Sequence, residues 1–310
     1  MNERDCTKQD VTNFSKILDY ITNLTRNGVN PTHVDMIIRI LDEAIDFESY
    51  LCHEMEFTEI HRLTINKSIL GKNQRIREIA HVKYPPRECV KSYGRCNQPG
   101  QSILYASSGM LSILSEMKPE LGDLITISTW RNVDNATLTF CPIFKNQPAD
   151  GIVNINSYNY NKEFNRLLKN MPPNIGVKVD LLTQFVANAF SKLFARNSND
   201  VNYLISAYFS DIMLNRYNNK SIEAIFYPSV QQNLAFENLA IKPSVFDDKY
   251  RLVHVKDAII VNTPAQSGGG YFQEGIGDSS VFKDNTIVWD DRFYQPNDSI
   301  LRYIKAGYEF

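Results

Sequence analysis

The sequence predicts an α+β fold in which a small helical domain precedes a β-rich body. Three observations lead there. Apolar residues recur at helical spacing through the first 65 or so positions. From Gln74 onward that period gives way to short apolar or alternating runs punctuated by Gly, Pro and Asn. Two amphipathic helical stretches, Val179–Ala195 and Asn202–Arg216, then stand among the strand-like runs.

Taken in order, Val11, Phe14, Leu18 and Ile21 form a first helical stripe. Gly28 and Asn30-Pro31 break and restart the helix, with Pro31 suited to a first turn. Val34, Ile37, Ile38, Leu41 and Ile45 form the second stripe, and Glu54 to Ile65 reads as a third, less regular helix. Acids such as Asp42, Glu43, Asp46 and Glu48 then line a solvated face. These elements delimit a helical domain over 1–70, ending near Gly71, and a body over 71–310. His53 and His61 could share one side of the third helix, but without a third ligand they make no metal site.

In the body, Arg75-Ile76-Arg77-Glu78-Ile79-Ala80 alternates like a half-buried strand whose arginines share a face. Pro85-Pro86 excludes helix. Residues 94–116 are the centre of the chain. Gly94 to Gly100 is an irregular turn, Ser102–Ala106 a short buried strand, and Ser107 or Ser108 can cap a helix bearing Met110, Leu111, Ile113 and Leu114. Glu116 falls near the end of that helix, where the dipole favours cations, so its place asks for a solvent, structural or chemical reason. Beyond it, Asp123–Arg131, Ile222–Val230, Leu239–Ile241 and Arg251–Val261 read as strands, and 132–178 as loop-rich. Leu182, Phe185, Val186, Phe190 and Phe194 are core positions of the first amphipathic stretch. The run Gly268-Gly269-Gly270 lacks the Lys-Ser/Thr of a phosphate-binding P-loop. Thr286–Asp290 and Ile300–Tyr303 supply an extra strand and a short helix.

Composition narrows the classes. The apolar fraction of 43% is that of a globular chain, and a net charge of −2 argues against general nucleic-acid binding. Five scattered cysteines without a CxxC pair suit reduced thiols in the cytoplasm better than disulfides or zinc. The polar N-terminus and the lack of a run of about 20 apolar residues point away from secretion and membrane.

Three motifs in order carry a family resemblance: Arg75-Ile76-Arg77; Gly94-Arg95-x-Asn97-x-Pro99-Gly100 with Leu104-Tyr105 and Glu116; and Tyr227-Pro228-Ser229 with Glu237-Asn238-Leu239-Ala240. Together they resemble the RES domain family over about residues 71–262, with the rest a C-terminal extension. The chain departs from the family pattern at Gln74, Cys96 and Glu237. The resemblance implies an ADP-ribosyltransferase-like mixed or antiparallel β core with flanking helices. It further implies a toxin-like enzyme that consumes NAD, with water or inorganic phosphate as acceptor and no metal. Protein mono-ADP-ribosylation is the alternative within that fold, and a non-catalytic nucleotide-sensing module the alternative outside it. A restraining antitoxin or regulatory protein, engaged through the N-terminal helices, and self-association are expected of such a protein.

The chemistry the resemblance implies assigns roles. Breaking the nicotinamide–ribose bond develops oxocarbenium character, which a fixed carboxylate stabilises; Glu116 is that residue, against a surface glutamate as the plain alternative. Arg75 and Arg95 match the family's arginines and suit the pyrophosphate, since a guanidinium fork binds phosphate oxygens bidentately. Arg77 and His81 are weaker candidates. Tyr105 would stack on nicotinamide or bond ribose, or equally be a core tyrosine. The Ser229 hydroxyl would bind ribose or the nicotinamide amide, and Asn238 would bind ligand or fix a turn.

Overall fold

A computed structural model describes residues 6–45, 51–145, 154–192, 200–216, 222–229, 237–267, 269–290 and 298–310. It shows an α+β protein with a large, mostly antiparallel sheet and flanking helices. The chain divides into two interleaved units. The first comprises Met1–Met55, Pro86–Ile103 and Leu138–Phe236; the second comprises Glu56–Pro85, Leu104–Thr137 and Glu237–Phe310. The boundary expected at residue 70/71 therefore falls inside the second unit, and the N-terminal helices share a unit with 86–103 and 138–236. Contacts between distant segments override sequence continuity here.

In the first unit, α1 (Lys8–Leu24) starts at Thr7, which bonds reciprocally with Asp10 and so satisfies two backbone donors of the first turn. Its Phe14, Leu18 and Ile21 are buried, as their spacing predicts. Gly28 takes a φ of +107°, and a Cβ there would stand 2.8 Å from the Asn202 side chain that accepts from Val29 N–H, so only glycine fits. Helix α2 (Val34–Ala44) buries Ile37 and Leu41. The expected third helix is absent. Its residues instead form β1 (His53–Glu56) and β2 (Glu59–Ile65), because Ile60, Thr64 and Ile65 favour strand once neighbours pair with them.

The stretch 132–178, expected to be loop-rich, holds β5 (Thr137–Pro142), α5 (Ile155–Leu168) and the start of α6 (Pro173–Phe190). Pro173 opens α6, where its missing N–H costs nothing. The part of the expected helix beyond residue 192 lies outside the described residues. Helix α7 (Leu204–Asp211) follows, then β6 (Ala224–Pro228), which pairs in parallel with β5. Phe140, Phe144, Tyr160, Phe164 and Phe226 pack edge to face or tilted as the aromatic core of this unit.

The second unit is built on an antiparallel sheet ordered β7-β3-β2-β4-β8-β9. Its strands besides β2 are β3 (Leu104–Ser107), β4 (Leu124–Asn132), β7 (Glu237–Ile241), β8 (Tyr250–Asn262) and β9 (Phe272–Ser279). The short α3 (Asn66–Leu70) follows β2, α4 (Met110–Met117) follows β3, α8 (Pro243–Lys249) precedes β8, and α9 (Pro264–Ser267) follows it. A two-stranded ribbon, β10 (Phe282–Lys283) with β11 (Thr286–Ile287), and α10 (Asp298–Lys305) complete the unit. Among the described residues no helix is long and apolar enough to cross a membrane.

The strand period of two assigns the faces. Leu63, Ile65, Ile125, Ile127, Ala258 and Ile260 form one core with Ile113 and Leu114 of α4, which defines the α4 face. On the opposite face Leu124, Ile259 and Ile276 pack with Tyr303, Tyr308 and Phe310.

Candidate functional site

A polar row crosses the α4 face of the second unit. Strand register places Asn238 opposite Ser107, Ser107 opposite His61, His61 opposite Thr129 and Thr129 opposite His254. One pair bonds within the row, and its other members bond side chains or carbonyls beside it. His61 Nδ1 bonds Thr129 Oγ1 at 3.1 Å, and His254 Nε2 lies 3.1 Å from Asp278 Oδ2. Ser107 and Ser112 share a 2.5 Å hydroxyl contact, and Ser107 Oγ also donates to the Glu237 carbonyl. Burial keeps the His61 imidazole below its ordinary pKa, with Glu59 opposing that shift.

Glu116 meets this row at one end. It lies on the last turn of α4, half-buried, and its Oε1 accepts from Asn238 Nδ2 at 2.9 Å. Two family-like motifs that are 122 residues apart thus join in one hydrogen bond. Tyr105 lies on the same face by strand parity, two residues before Ser107, and its register partner is Ala240. The start of α4 differs from expectation. Gly109 is the flanking residue and has no capping side chain, while Ser107 Oγ accepts the Gly109 N–H at 3.2 Å.

The structure gives each of the two expected arginines protein partners of its own. Arg75 is 5% exposed, and its Nε donates to Asp257 Oδ2 at 3.0 Å. Asp257 also accepts from Thr126, its partner in the register, which places the pair on the face opposite α4. Trp289 stacks 4.6 Å from the Arg75 guanidinium carbon. The segment expected to be a strand bearing both arginines on one face is instead a short bridge at Gln74 followed by a 3₁₀ turn over Ile79–Val82, so Arg75 is buried and Arg77 exposed. Burial pushes the Asp257 carboxyl up to about 6, against the lowering effects of Thr126 and Arg75. Arg75 therefore neutralises a buried acid.

Arg95 is used within the first unit. Its Nη1 donates to the Phe190 carbonyl, and both terminal nitrogens reach the Lys192 carbonyl at 3.4 and 3.5 Å. These carbonyls lie at the C-terminal end of α6, where a cation is favoured and backbone acceptors lack helical partners. Tyr203 lies 5.1 Å from the guanidinium carbon. Asn97 fixes the same turn, donating to the Ser92 and Gln98 carbonyls, and burial pushes the neighbouring Cys96 thiol up to about 12. Ser229 follows β6 in the first unit and is fully buried.

Sequence reading did not join His61, Thr129 and the serine pair: it weighed His61 as a metal ligand and Ser107 as a helix cap, and left Thr129 and Ser112 unnamed. The signal was present in Ile60-His61-Arg62-Leu63-Thr64-Ile65, rich in β-branched residues, but the period was taken as helical. Among the described residues no group of three or more His, Cys, Asp or Glu is placed to hold a metal. Comparison with protein-family models, with curated proteins and with solved structures finds no match. The family resemblance accordingly rests on the three motifs.

Proposed function

We propose that this protein is an NAD-consuming enzyme that cleaves the bond between nicotinamide and ribose, on an ADP-ribosyltransferase-like fold. The observation that carries the reading is the Glu116–Asn238 hydrogen bond beside Tyr105, which joins the second and third motifs on one face. Asn238 holds the carboxylate in one orientation, so little reorganisation is needed when charge develops on the sugar. In the reaction the C1′–N bond breaks and its electron pair neutralises the pyridinium of nicotinamide. Positive charge spreads over C1′ and the ring oxygen. Glu116 stabilises that charge, and an oxygen of water or phosphate completes the new bond at C1′ while its proton leaves to solvent or a nearby base. Tyr105 offers a ring face to nicotinamide and a hydroxyl to ribose. Arg75 and Arg95 have no direct role in this scheme, since each is committed to its own unit's structure.

Chromatography of NAD incubated with the pure protein, with and without phosphate, tests the reading. Nicotinamide should appear with ADP-ribose or its 1-phosphate, and Glu116→Gln should slow its release about 100-fold or more while remaining folded. NAD left intact over hours by the wild-type protein would refute the proposal. Label from NAD retained on a protein band would redirect it to protein ADP-ribosylation.

A further inference from the structure

Beside Ser107 in the polar row stands His61, held from its other side by its register partner on β4: Nδ1 meets Thr129 Oγ1 at 3.1 Å. The second ring nitrogen, Nε2, has no partner among the described residues and is not enclosed, so solvent reaches it. Neighbouring strands lie about 4.8 Å apart, so the two steps from Asn238 to Ser107 and on to His61 span about 10 Å. The Glu116 carboxylate meets the far end of that span, 2.9 Å from Asn238 Nδ2. Ser107 lies between them, but its hydroxyl is committed to Ser112 and the Glu237 carbonyl. His254 is two strands further from Glu116, and Asp278 holds its Nε2.

Burial holds the His61 imidazole below its ordinary value of 6.5, so it is neutral at pH 7. The ionisable groups that share its face are Glu59 on its own strand, Tyr105 on β3, Arg131 on β4, His254 and Lys256 on β8, and Glu116 on α4. Of these Glu59 opposes the shift, and Arg131 occupies the Glu59 carboxylate with hydrogen bonds of 2.7 and 3.0 Å. A neutral imidazole anchored at one nitrogen and open at the other is the form a general base takes. A phosphate acceptor calls for a cation to hold it, and the row from Asn238 to Thr129 offers neither lysine nor arginine. A water acceptor calls for a base instead, and the row has one.

We infer that His61 is the general base of this site, that it takes its proton from water, and that water is the acceptor of the reaction. With the Nδ1 proton donated to Thr129 Oγ1, the Nε2 lone pair accepts one proton of the attacking water as its oxygen bonds C1′. The imidazolium then releases that proton to solvent. The bond to nicotinamide breaks as described above, so one NAD and one water give nicotinamide, ADP-ribose and one proton. A stabilising carboxylate and a base set this far apart leave room for sugar and water between them, as in inverting glycoside hydrolysis. The inference rests on the proposed function for its substrate, and it adds the acceptor and the residue that activates it.

NAD turnover by the wild-type chain, His61→Gln and His61→Ala tests the inference, with products separated by chromatography in the presence and absence of phosphate. ADP-ribose should be the product under both conditions, and its rate of formation should fall as pH drops below 6.5 and the imidazole takes up a proton. His61→Gln should slow the reaction about 100-fold, leave KM for NAD nearly unchanged and lose that acid limb. Added imidazole should restore part of the rate to His61→Ala, a rescue that a merely structural histidine would not show. A second measurement needs no variant: when diethyl pyrocarbonate modifies the wild-type chain, loss of turnover should track labelling of His61, and hydroxylamine should reverse both. ADP-ribose 1-phosphate as the main product, a His61→Gln variant as fast as the wild type, or inactivation that tracks other histidines would overturn the inference and leave NAD cleavage standing. NAD left intact by the wild-type chain would remove the proposed function and this inference together.

Discussion

Replacing Arg75 with methionine separates a structural arginine from a ligand-binding one. The side chain is enclosed by Asp257, Trp289 and Phe310, and Asp257 is fully buried. Methionine fills much of the volume but leaves the carboxylate without its cation, a change that costs about 3–5 kcal/mol when one partner of a buried pair is removed. The sign with pH follows from Asp257. Its folded pKa, about 6, lies above the ordinary aspartate value of 3.8. Its contribution to stability is therefore fully present below pH 3.8 and lost as pH rises through 6. That difference corresponds to about 3 kcal/mol. Without Arg75 the carboxyl moves higher still, so the deficit of Arg75→Met should be large at pH 7.5 and shrink at pH 5. Adding Asp257→Asn should restore much of the loss, a coupling that a double-mutant cycle measures. Urea unfolding of the four proteins at both pH values is the assay. A fully stable Arg75→Met that has lost only NAD handling would refute the structural assignment and return Arg75 to the ligand.

Gly277→Ala should destabilise the second unit by about 1–3 kcal/mol, because a Cβ there would stand 2.9 Å from Arg75 Nη2, which Asp257 and Trp289 hold in place. At Gly275 the nearest atom is the flexible end of Lys256 at 3.5 Å, so Gly275→Ala should be close to neutral; equal melting temperatures for the two variants would contradict the packing argument. Arg95→Gln should destabilise the first unit and speed hydrogen exchange at the C-terminal turn of α6 around Phe190, with unchanged protection there counting against the capping role. Asn238→Ala should lower the rate of nicotinamide release while leaving KM for NAD nearly unchanged, since Asn238 orients Glu116; a change confined to KM would make it a substrate-binding residue instead.

Much of the second unit was legible in the chain. Strands β4, β7 and β8 and helix α4 fall where short apolar runs and turn residues place them, as does β6 in the first unit. The stripes of α1 and α2 bury the residues that their spacing selects. The segment from Glu54 to Ile65 was misread because a run with apolar residues at Ile60, Leu63 and Ile65 fits either period over so short a length, and pairing with β4 along seven residues decided it. The helices and strand inside 132–178 were missed because Asn, Pro and Gly there mark caps and first turns as well as loops.

The candidate site divides along the same line. The motif resemblance marked Glu116, Tyr105 and Asn238, and the fold bonds the first to the last. The fate of each arginine could not be read locally, because a guanidinium is long and its partner is chosen by whatever the fold brings within reach. Asp257 is 182 residues from Arg75, and the Phe190 carbonyl is 95 residues from Arg95. Sequence by itself determined which side chains carry charge and, for strands read as such (β3, β4, β7 and β8), which face they leave from. Tertiary structure decided which charges are neutralised inside the protein, as that of Arg75 is by Asp257, because only the fold brings such distant partners within reach.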